Sequence, residues 1–333
     1  MKWSLKKLVT RGLAGVLVVV SGFALATGAR QHRKFEAPFP AIHASGDKAV
    51  IERGRYLAFG AAHCADCHGA SQAPGASAAA AQGPQPLTGG HEFHLPVGVF
   101  HVPNITPDRE TGIGRYGDEE IARMLRYGVR PNGEAMLPFM PFQNLSDDDL
   151  TALISFLRSQ TPVRHAVPAH ELTAIGRVVK AFVLTPRGPS AEPAKHIEPA
   201  ATPEYGRYLA NSVGNCAGCH TKIDMKTGEF IGPKFAGGAE HPSHLDPTKS
   251  FVTPNLTPDP RWGWLKGWSE DAFVARLRAG RIRPGSPMPW EAFSTMNETD
   301  VRALFRFLQT LPPSPGGPDP KDRDSVAQPI AAR

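Results

Sequence analysis

The four cysteines of this 333-residue chain lie in two short motifs, and each motif ends in a histidine. Both motifs have the pattern Cys-x-x-Cys-His, formed by Cys64, Cys67, His68, Cys216, Cys219 and His220. Two thiols at this spacing can each add to one vinyl group of the same porphyrin, and the adjacent histidine can then bind the iron as its proximal ligand. The pattern therefore predicts two covalently attached c-type haems.

Three other uses of paired cysteines fit the motifs less well. A single Cys₄ zinc site would take half of its ligands from each motif and would leave the two histidines without a purpose. Two disulfides are chemically possible in an exported chain, but they would not require a histidine at the same place twice. A thioredoxin-like redox pair needs a βαβ context, which the sequence around the motifs does not show.

Two methionines are candidates for the distal side of the irons. Met140 and Met288 each precede a proline, in a loop just before a predicted helix. A methionine ligand is typical of electron carriers and raises the redox potential. Met136 is the main rival of Met140, whereas Met296 is expected to be a core residue. Further alternatives are histidines that do not align between the two halves of the chain: His91, His94, His101, His241 and His244.

Two Pro-Asn turns are candidates for the wall of each haem pocket. They are Pro103-Asn104 in the first half of the chain and Pro254-Asn255 in the second. A backbone carbonyl often orients a metal-binding histidine by accepting a hydrogen bond from its second ring nitrogen. We expect these turns to supply that carbonyl.

The motifs belong to a unit that occurs twice. The segment Gly-Arg-Tyr-Leu-Ala at 54–58 recurs at 206–210, and the two Cys-x-x-Cys-His motifs share this offset of 152 residues. The segment Pro-Asn-Ile-Thr-Pro-Asp at 103–108 recurs as Pro-Asn-Leu-Thr-Pro-Asp at 254–259. Several landmarks in one order and at nearly one spacing indicate a tandem duplication.

Helices are predicted at matching places in both copies. The last helix of each copy has a polar N-cap, Ser146 or Asn297, followed by apolar residues at i, i+3, i+4 and i+7. Earlier helices are expected near Asp118 and Glu270. No convincing strand alternation appears, so the predicted fold class is all-α.

The predicted organisation has five segments. They are a signal or membrane-anchor segment (1–47), a first domain (48–160), a connector with a helix around 174–183 (161–203), a second domain (204–312) and a disordered tail (313–333). A low-complexity insertion at 70–86 of the first copy is expected to be a mobile loop.

The net charge of +6 does not indicate a nucleic-acid partner, because most of the excess lies at the N-terminus. Residues 1–47 carry seven Lys and Arg against two Asp and Glu, whereas the two domains carry nine against twelve and thirteen against eleven. The basic start and the apolar run at 12–29 are typical of a secretory signal, but the run is also long enough for a membrane anchor. Both alternatives export the rest of the chain. The expected location is therefore the periplasmic side of a bacterial inner membrane, anchored to it or free in the periplasm.

The chain resembles the multihaem cytochrome c subunits of bacterial membrane-bound dehydrogenases of the alcohol and gluconate type, and their dihaem relatives. The resemblance rests on Gly-Arg-Tyr-Leu-Ala before Cys-x-x-Cys-His, the Pro-Asn-(Ile/Leu)-Thr-Pro-Asp segments, Thr-Gly-Ile-Gly at 111–114 and Met-Pro before the final helix. It implies two tandem class I-like cytochrome c domains, each wrapped around one haem, with Met140 and Met288 as distal ligands. The named dehydrogenase subunits carry three Cys-x-x-Cys-His motifs, whereas this chain has two.

The expected function is electron transfer rather than catalysis. The donor would be a periplasmic dehydrogenase, and the acceptor a terminal oxidase, a quinone or another cytochrome. The alternative is a dihaem enzyme such as a peroxidase, which needs one iron with an open sixth position. The matching Met-Pro loops in both copies argue against this alternative.

Overall fold

The computed structural model of the chain describes residues 5–70, 85–224, 229–246 and 248–318. Most of the insertion that was expected to be a mobile loop, and residues 319–333 of the expected tail, lie outside these ranges. Below, the first repeat means residues 48–160 and the second repeat means residues 204–312.

The first half of the chain contains six helices and three short strands within the described residues. In chain order they are α1 (Leu5–Ala29), α2 (Lys48–Phe59), α3 (Cys64–His68), β1 (Glu92–Leu95), β2 (Gly98–His101), a 3₁₀ turn (Ile113–Arg115), α4 (Asp118–Tyr127), α5 (Asp147–Ser159), β3 (Glu171–Leu172) and α6 (Ala174–Phe182). The connector helix lies where it was predicted.

The second half repeats the order of the helices. Its elements are α7 (Pro203–Tyr208), a π-helical turn (Leu209–Val213), α8 (Cys216–Cys219), β4 (Glu240–Pro242), β5 (Ser250–Val252), α9 (Glu270–Arg278), α10 (Trp290–Ser294) and α11 (Glu298–Gln309). Each repeat therefore has an opening helix, a Cys-x-x-Cys helix, a long loop and two later helices that correspond (α4 and α5, α9 and α11), and the second repeat adds the short helix α10 between them. The prediction of a mainly helical chain is confirmed.

The strands are the part of the fold that was not predicted. The strands β1, β2 and β3 form an antiparallel sheet, and β4 pairs with β5. Each is two to four residues long, which is too short to show a clear alternation of apolar and polar residues. Both hairpins lie in the long loop between a Cys-x-x-Cys helix and a Pro-Asn turn.

The closing helices α5 and α11 begin at the predicted caps. The Ser146 hydroxyl accepts a hydrogen bond from the amide of Asp149 at 3.2 Å, and the Asn297 side chain accepts one from the amide of Asp300 at 2.8 Å. The predicted apolar stripe of each helix is buried: Leu150, Leu153, Ile154 and Leu157 in α5, and Val301, Leu304, Phe305 and Leu308 in α11.

The opening and closing helices of each repeat cross at a glycine. A Cβ atom on Gly54 of α2 would lie 1.8 Å from the carbonyl oxygen of Ala152 in α5. A Cβ atom on Gly206 of α7 would lie 1.9 Å from the carbonyl oxygen of Ala303 in α11. The glycine that starts each Gly-Arg-Tyr-Leu-Ala segment is therefore required by the close approach of two backbones.

The tyrosine of the first Gly-Arg-Tyr-Leu-Ala segment, Tyr56, forms hydrogen bonds with the second repeat. The Tyr56 hydroxyl donates to Oδ2 of Asp300 at 2.7 Å and accepts a hydrogen bond from the amide of Asn297 at 3.0 Å. Asp300 is completely buried, so the Tyr56 hydroxyl replaces a hydrogen bond that water would otherwise make to Oδ2, whereas Oδ1 has no partner among the described residues.

The tyrosine of the second Gly-Arg-Tyr-Leu-Ala segment, Tyr208, forms the equivalent hydrogen bonds with the first repeat. The Tyr208 hydroxyl donates to Oδ2 of Asp149 at 2.7 Å and accepts a hydrogen bond from the amide of Ser146 at 3.1 Å. Arg53 adds an ion pair with Asp149 at 2.8 Å and a hydrogen bond to the Tyr205 hydroxyl at 3.3 Å. Because equivalent residues exchange equivalent bonds, the repeats pack about a local two-fold axis. Their buried apolar side chains form one continuous core.

Residues 313–318, the described part of the expected disordered tail, pack against the protein. Ser314 is buried, and its carbonyl oxygen accepts a hydrogen bond from the Asn255 side chain at 2.8 Å. Residues 313–318 are therefore held against the second repeat, in the same way that the carbonyl of Val163 is held by Asn104 at 2.8 Å in the first. Their composition is typical of a flexible tail, but the amide of Asn255 gives them a fixed partner.

We predict that Gly54→Ala destabilises the protein by about 1–3 kcal/mol or more, because the added methyl group forces two backbones apart. Gly46→Ala is the matched control, since a Cβ atom at this exposed position meets nothing within 4 Å. Denaturant unfolding of both variants measures the difference. Equal stabilities would show that the helices do not cross at this glycine.

We predict that Tyr56→Phe lowers the free energy of unfolding by about 1–3 kcal/mol, because it removes a hydrogen-bond partner from the buried Asp300 carboxylate and from the amide of Asn297. Tyr127→Phe is the control, because the Tyr127 hydroxyl makes no hydrogen bond to any residue that the structure describes. Urea unfolding of the two variants and the parent is the measurement. A loss no larger than that of Tyr127→Phe would contradict the interface described above.

Candidate haem sites

The two Cys-x-x-Cys helices, α3 and α8, begin in the same way. The residue before each first cysteine, His63 or Asn215, has a left-handed backbone with φ of 39° or 49°. This turn ends the preceding segment of chain and starts a short helix of one turn. Since the turn has the same form in both repeats, the two thiols of each motif are presented on equivalent backbones.

The four cysteines form neither disulfides nor a shared cluster. All four are free thiols. Among the described residues no group of three or more His, Cys, Asp or Glu side chains is placed to hold a metal ion, so a Cys₄ zinc site is not formed. Burial raises the pKa of Cys64 and of Cys216 to about 12, which is opposite to the lowered pKa of a redox-active thiolate.

The histidine of the first motif is buried and oriented through its Nδ1 atom. Nδ1 of His68 lies 2.9 Å from the carbonyl oxygen of Pro103, and the backbone carbonyl of His68 accepts a hydrogen bond from the amide of Gly89 at 2.8 Å. A carbonyl can only accept, so Nδ1 carries the proton and donates it. Nε2 then holds a free lone pair, and it makes no hydrogen bond to any described residue.

The histidine of the second motif repeats this arrangement. Nδ1 of His220 lies 3.0 Å from the carbonyl oxygen of Pro254, and the carbonyl of His220 accepts from the amide of Gly237 at 2.8 Å. Burial lowers the pKa of both histidines to about 4, so both rings are neutral at physiological pH. The expectation that the Pro-Asn turns supply the orienting carbonyl is confirmed.

The Pro-Asn turn of the first repeat is fixed by the asparagine side chain. The Asn104 side-chain oxygen accepts from the amide of Thr106 at 2.9 Å and from its hydroxyl at 2.8 Å. A Cβ atom on Gly89 would lie 2.4 Å from the carbonyl oxygen of Pro103, so a glycine is needed where the chain passes this carbonyl. The carbonyl that orients His68 is thus held from both sides.

In the second repeat, the Asn255 side chain fixes the Pro-Asn turn, and Gly237 lets the chain pass close to it. The Asn255 side-chain oxygen accepts from the amide and the hydroxyl of Thr257, both at 2.8 Å. Gly237 has a left-handed φ of 71°, and a Cβ atom there would lie 2.5 Å from the carbonyl oxygen of Thr253. The Pro-Asn segment recurs in the sequence, and the structure shows why: in both copies the asparagine side chain holds the turn whose carbonyl orients the histidine.

The predicted distal methionines occupy similar environments. Met140 and Met288 are half-buried, pack against the core, and lie in the loop that leads to the last helices of their repeats. Met136 instead follows the isolated bridge between Val129 and Ala135, with its amide donating to the carbonyl of Gly128 at 2.7 Å. Met296 is 2% exposed, which confirms the prediction that it is a core residue.

The alternative histidines differ in burial. His94 and His244 are exposed, and His91 and His241 are half-buried. His101 is buried, and its Nε2 atom has no hydrogen-bond partner within the described part of the chain. It lies two residues before Pro103, whose carbonyl accepts the hydrogen bond from His68.

The residues present fit two c-type haems. Each repeat offers two neutral thiols on one turn of helix, a neutral imidazole with its Nε2 free, and a half-buried methionine. A neutral imidazole that donates Nδ1–H to a backbone carbonyl and keeps Nε2 free of protein partners is the donor that a haem iron takes as its proximal ligand.

The structure also brings the first motif close to the second repeat, which was not predicted. The rings of His63 and Phe293 meet edge to face with centroids 5.6 Å apart. The pKa of Asp66 is raised to about 7 by burial and by the charge of Glu291. No repeat or spacing in the sequence connects these residues, so pattern analysis could not find the contact.

Comparison with known proteins identifies the first repeat. A family model described as cytochrome c matches residues 51–161, which include the first Cys-x-x-Cys-His motif, Met140 and α5.

Several characterised proteins are similar over most of the chain. The cytochrome c subunit of alcohol dehydrogenase (quinone) from Gluconobacter oxydans is 32% identical, over 84% of this chain and 58% of the relative. The cytochrome c subunit of gluconate 2-dehydrogenase from Pantoea cypripedii is 29% identical, over 79% and 60%. A dihaem cytochrome c-type protein of Cereibacter sphaeroides is 29% identical, over 92% of this chain and 99% of its own length.

The chain spans less than two thirds of the length of the two dehydrogenase subunits, but it spans the dihaem protein almost completely. All three relatives are named as cytochromes rather than as catalytic subunits. Residues 51–161 therefore form a cytochrome c domain, and the chain as a whole is similar to the cytochrome c subunits of alcohol and gluconate dehydrogenases and to a dihaem cytochrome c.

Proposed function

We propose that this protein is a dihaem cytochrome c that carries electrons. It consists of two tandem cytochrome c domains, 48–160 and 204–312, each with one covalently attached haem. The observation that carries the proposal is the duplicated histidine geometry, in which His68 and His220 each donate Nδ1–H to a prolyl carbonyl and keep Nε2 free. A disulfide function would not need this arrangement, and no group of three or more His, Cys, Asp or Glu side chains among the described residues is placed to hold a zinc ion.

The assignment of side chains follows the two motifs. The thiols that would attach the porphyrins are Cys64, Cys67, Cys216 and Cys219, and the axial ligands would be His68 and Met140 in the first domain and His220 and Met288 in the second. When bound, a haem supplies reversible one-electron oxidation and reduction of its iron. The chain contributes the neutral imidazole, its fixed orientation, and a half-buried thioether that favours the reduced iron and so raises the redox potential.

The proposed partner is a periplasmic dehydrogenase that donates electrons. The names of the two dehydrogenase subunits support a donor of this class. The proposed acceptor is a terminal oxidase, a quinone or another cytochrome, and no nucleic acid is involved. The short distance between the first motif and the second domain supports transfer within the chain, because the His63 and Phe293 rings are in contact across the interface.

The proposed location is the periplasmic face of the inner membrane. Residues Val9–Ala29 of α1 form a helix that is long and apolar enough to cross a bilayer, with a mean hydropathy of 2.0 and none of it buried in the protein. We propose that α1 is retained as an anchor. A cleaved signal would instead release the protein into the periplasm.

Replacing a distal methionine tests the ligand assignment. We expect Met140→Leu to give one high-spin haem that binds carbon monoxide and has a lowered redox potential, because leucine fills the space but cannot bind iron. Met136→Leu is the matched control and should leave the spectrum and both potentials unchanged. If the two variants behave in the opposite way, Met136 is the ligand of the first haem.

Reactivity towards small ligands tests the proposed class of function. We expect the parent protein to show two low-spin haems that bind neither carbon monoxide nor peroxide during an absorption and redox titration, since both sixth positions are filled. Met288→Leu should open the sixth coordination position of the second haem alone, so that only this haem binds carbon monoxide. Ready binding of carbon monoxide by the parent, or turnover of peroxide, would replace the electron-carrier proposal with a peroxidase-type enzyme.

A further inference from the structure

The connector helix α6 has a buried face of small residues and an exposed apolar face. Gly176 lies against the turn between β1 and β2, where an added Cβ atom would be 1.9 Å from the carbonyl oxygen of Val97. On the other face, Ile175 is 65% exposed, Phe182 is 40% exposed and the adjoining Val183 is 66% exposed. Residues 175, 182 and 183 have the i, i+7 and i+8 spacing of one helical stripe, so the exposed side chains form a single surface.

This apolar surface continues into the proposed anchor helix. The rings of Phe23 in α1 and Phe182 in α6 stack with centroids 5.7 Å apart. Just beyond α1, the Gln31 side chain donates to the carbonyl of Arg177 at 2.8 Å, and Nε of Arg30 donates to the carbonyl of Ala181 at 3.2 Å. The last turns of α1 are therefore attached to α6, and the apolar residues of both helices are exposed together.

Basic residues flank the two helices along the chain, and one of them, Arg30, lies over the Phe182 ring at the junction. Arg30 and Lys34 follow α1, Arg177 lies on α6, and Arg187 follows it, and all four are exposed. An exposed apolar stripe next to exposed lysine and arginine is typical of a helix that lies in the headgroup region of an anionic membrane. A large apolar surface would otherwise be unfavourable in water.

We propose that α6 lies on the surface of the membrane that α1 enters, with Ile175, Phe182 and Val183 in contact with phospholipid acyl chains. The inference rests on the proposed retention of α1 as an anchor. The surface would hold the first domain in a fixed orientation, because α6 packs on the β1–β2 hairpin and β2 leads within two residues to the carbonyl of Pro103 that orients His68.

Photo-crosslinking to lipid tests the inference in the full-length haem-loaded protein. The photoreactive residue p-benzoylphenylalanine replaces Ile175 or Val183 in protein reconstituted into phosphatidylethanolamine–phosphatidylglycerol vesicles. Leu245 is the matched control, because it is also 65% exposed but belongs to the second domain. Leu17 in α1, which is 68% exposed, reports whether the anchor is in the bilayer. The absorption spectrum of each variant verifies that it has folded around its haems.

We expect several-fold more lipid adduct at Ile175 and Val183 than at Leu245, together with adduct at Leu17. Labelling at Leu17 with no excess at Ile175 and Val183 would overturn the inference and leave the anchor intact, and the apolar face would then be assigned to a protein partner. Absence of labelling at Leu17 as well would contradict the anchor and the membrane contact of α6 together. Equal labelling at all four positions would show non-specific adsorption and would also overturn the inference.

Discussion

The hydrogen bond from a buried histidine to a prolyl carbonyl, made once in each repeat, is the constraint to which the rest of the structure is adapted. Nδ1 of His68 and of His220 donates to Pro103 and Pro254, and this bond decides which ring nitrogen is free to bind iron. The Asn104 and Asn255 side chains fold their turns around these carbonyls, and Gly89 and Gly237 allow the chain to pass close by. Burial keeps both rings neutral, so the same local structure sets the orientation and the protonation state.

The two repeats behave as one unit because each supplies a tyrosine to the other. The Tyr56 and Tyr208 hydroxyls cap the closing helix of the opposite repeat by bonding to Asp300 and Asp149. Both carboxylates are buried in the packed protein, so losing a tyrosine hydroxyl while the repeats stay together removes a partner that water does not replace. The interface also brings the first Cys-x-x-Cys helix against α10, as the contact between His63 and Phe293 shows. A fixed arrangement of the two sites is what a relay of electrons within one chain requires.

The sequence was informative where a residue type is tied to a local geometry. The caps at Ser146 and Asn297, the stripe of each closing helix, the connector helix and the role of the Pro-Asn turns all follow from short patterns, and the structure confirms them. The strands β1 to β5 are too short to show alternation, so tertiary contacts decide them. The burial of Ser314 depends on the Asn255 side chain, which lies 59 residues earlier in the chain. The role of Tyr56 could not be predicted either, because its partners lie more than 240 residues away in the sequence. The ligand roles of Met140 and Met288 stay predictions, supported by their equivalent half-buried positions.

The central claim is that each Cys-x-x-Cys-His motif carries one haem attached through both of its thiols. Intact-mass spectrometry of the denatured protein, with haem quantified as the pyridine complex, measures this directly. We expect a mass that exceeds that of the polypeptide by two haems, and the loss of one of them in a Cys216→Ala/Cys219→Ala variant. A parent protein with no added haem or with only one, or a Cys216→Ala/Cys219→Ala variant that keeps the parent's haem content, would contradict it.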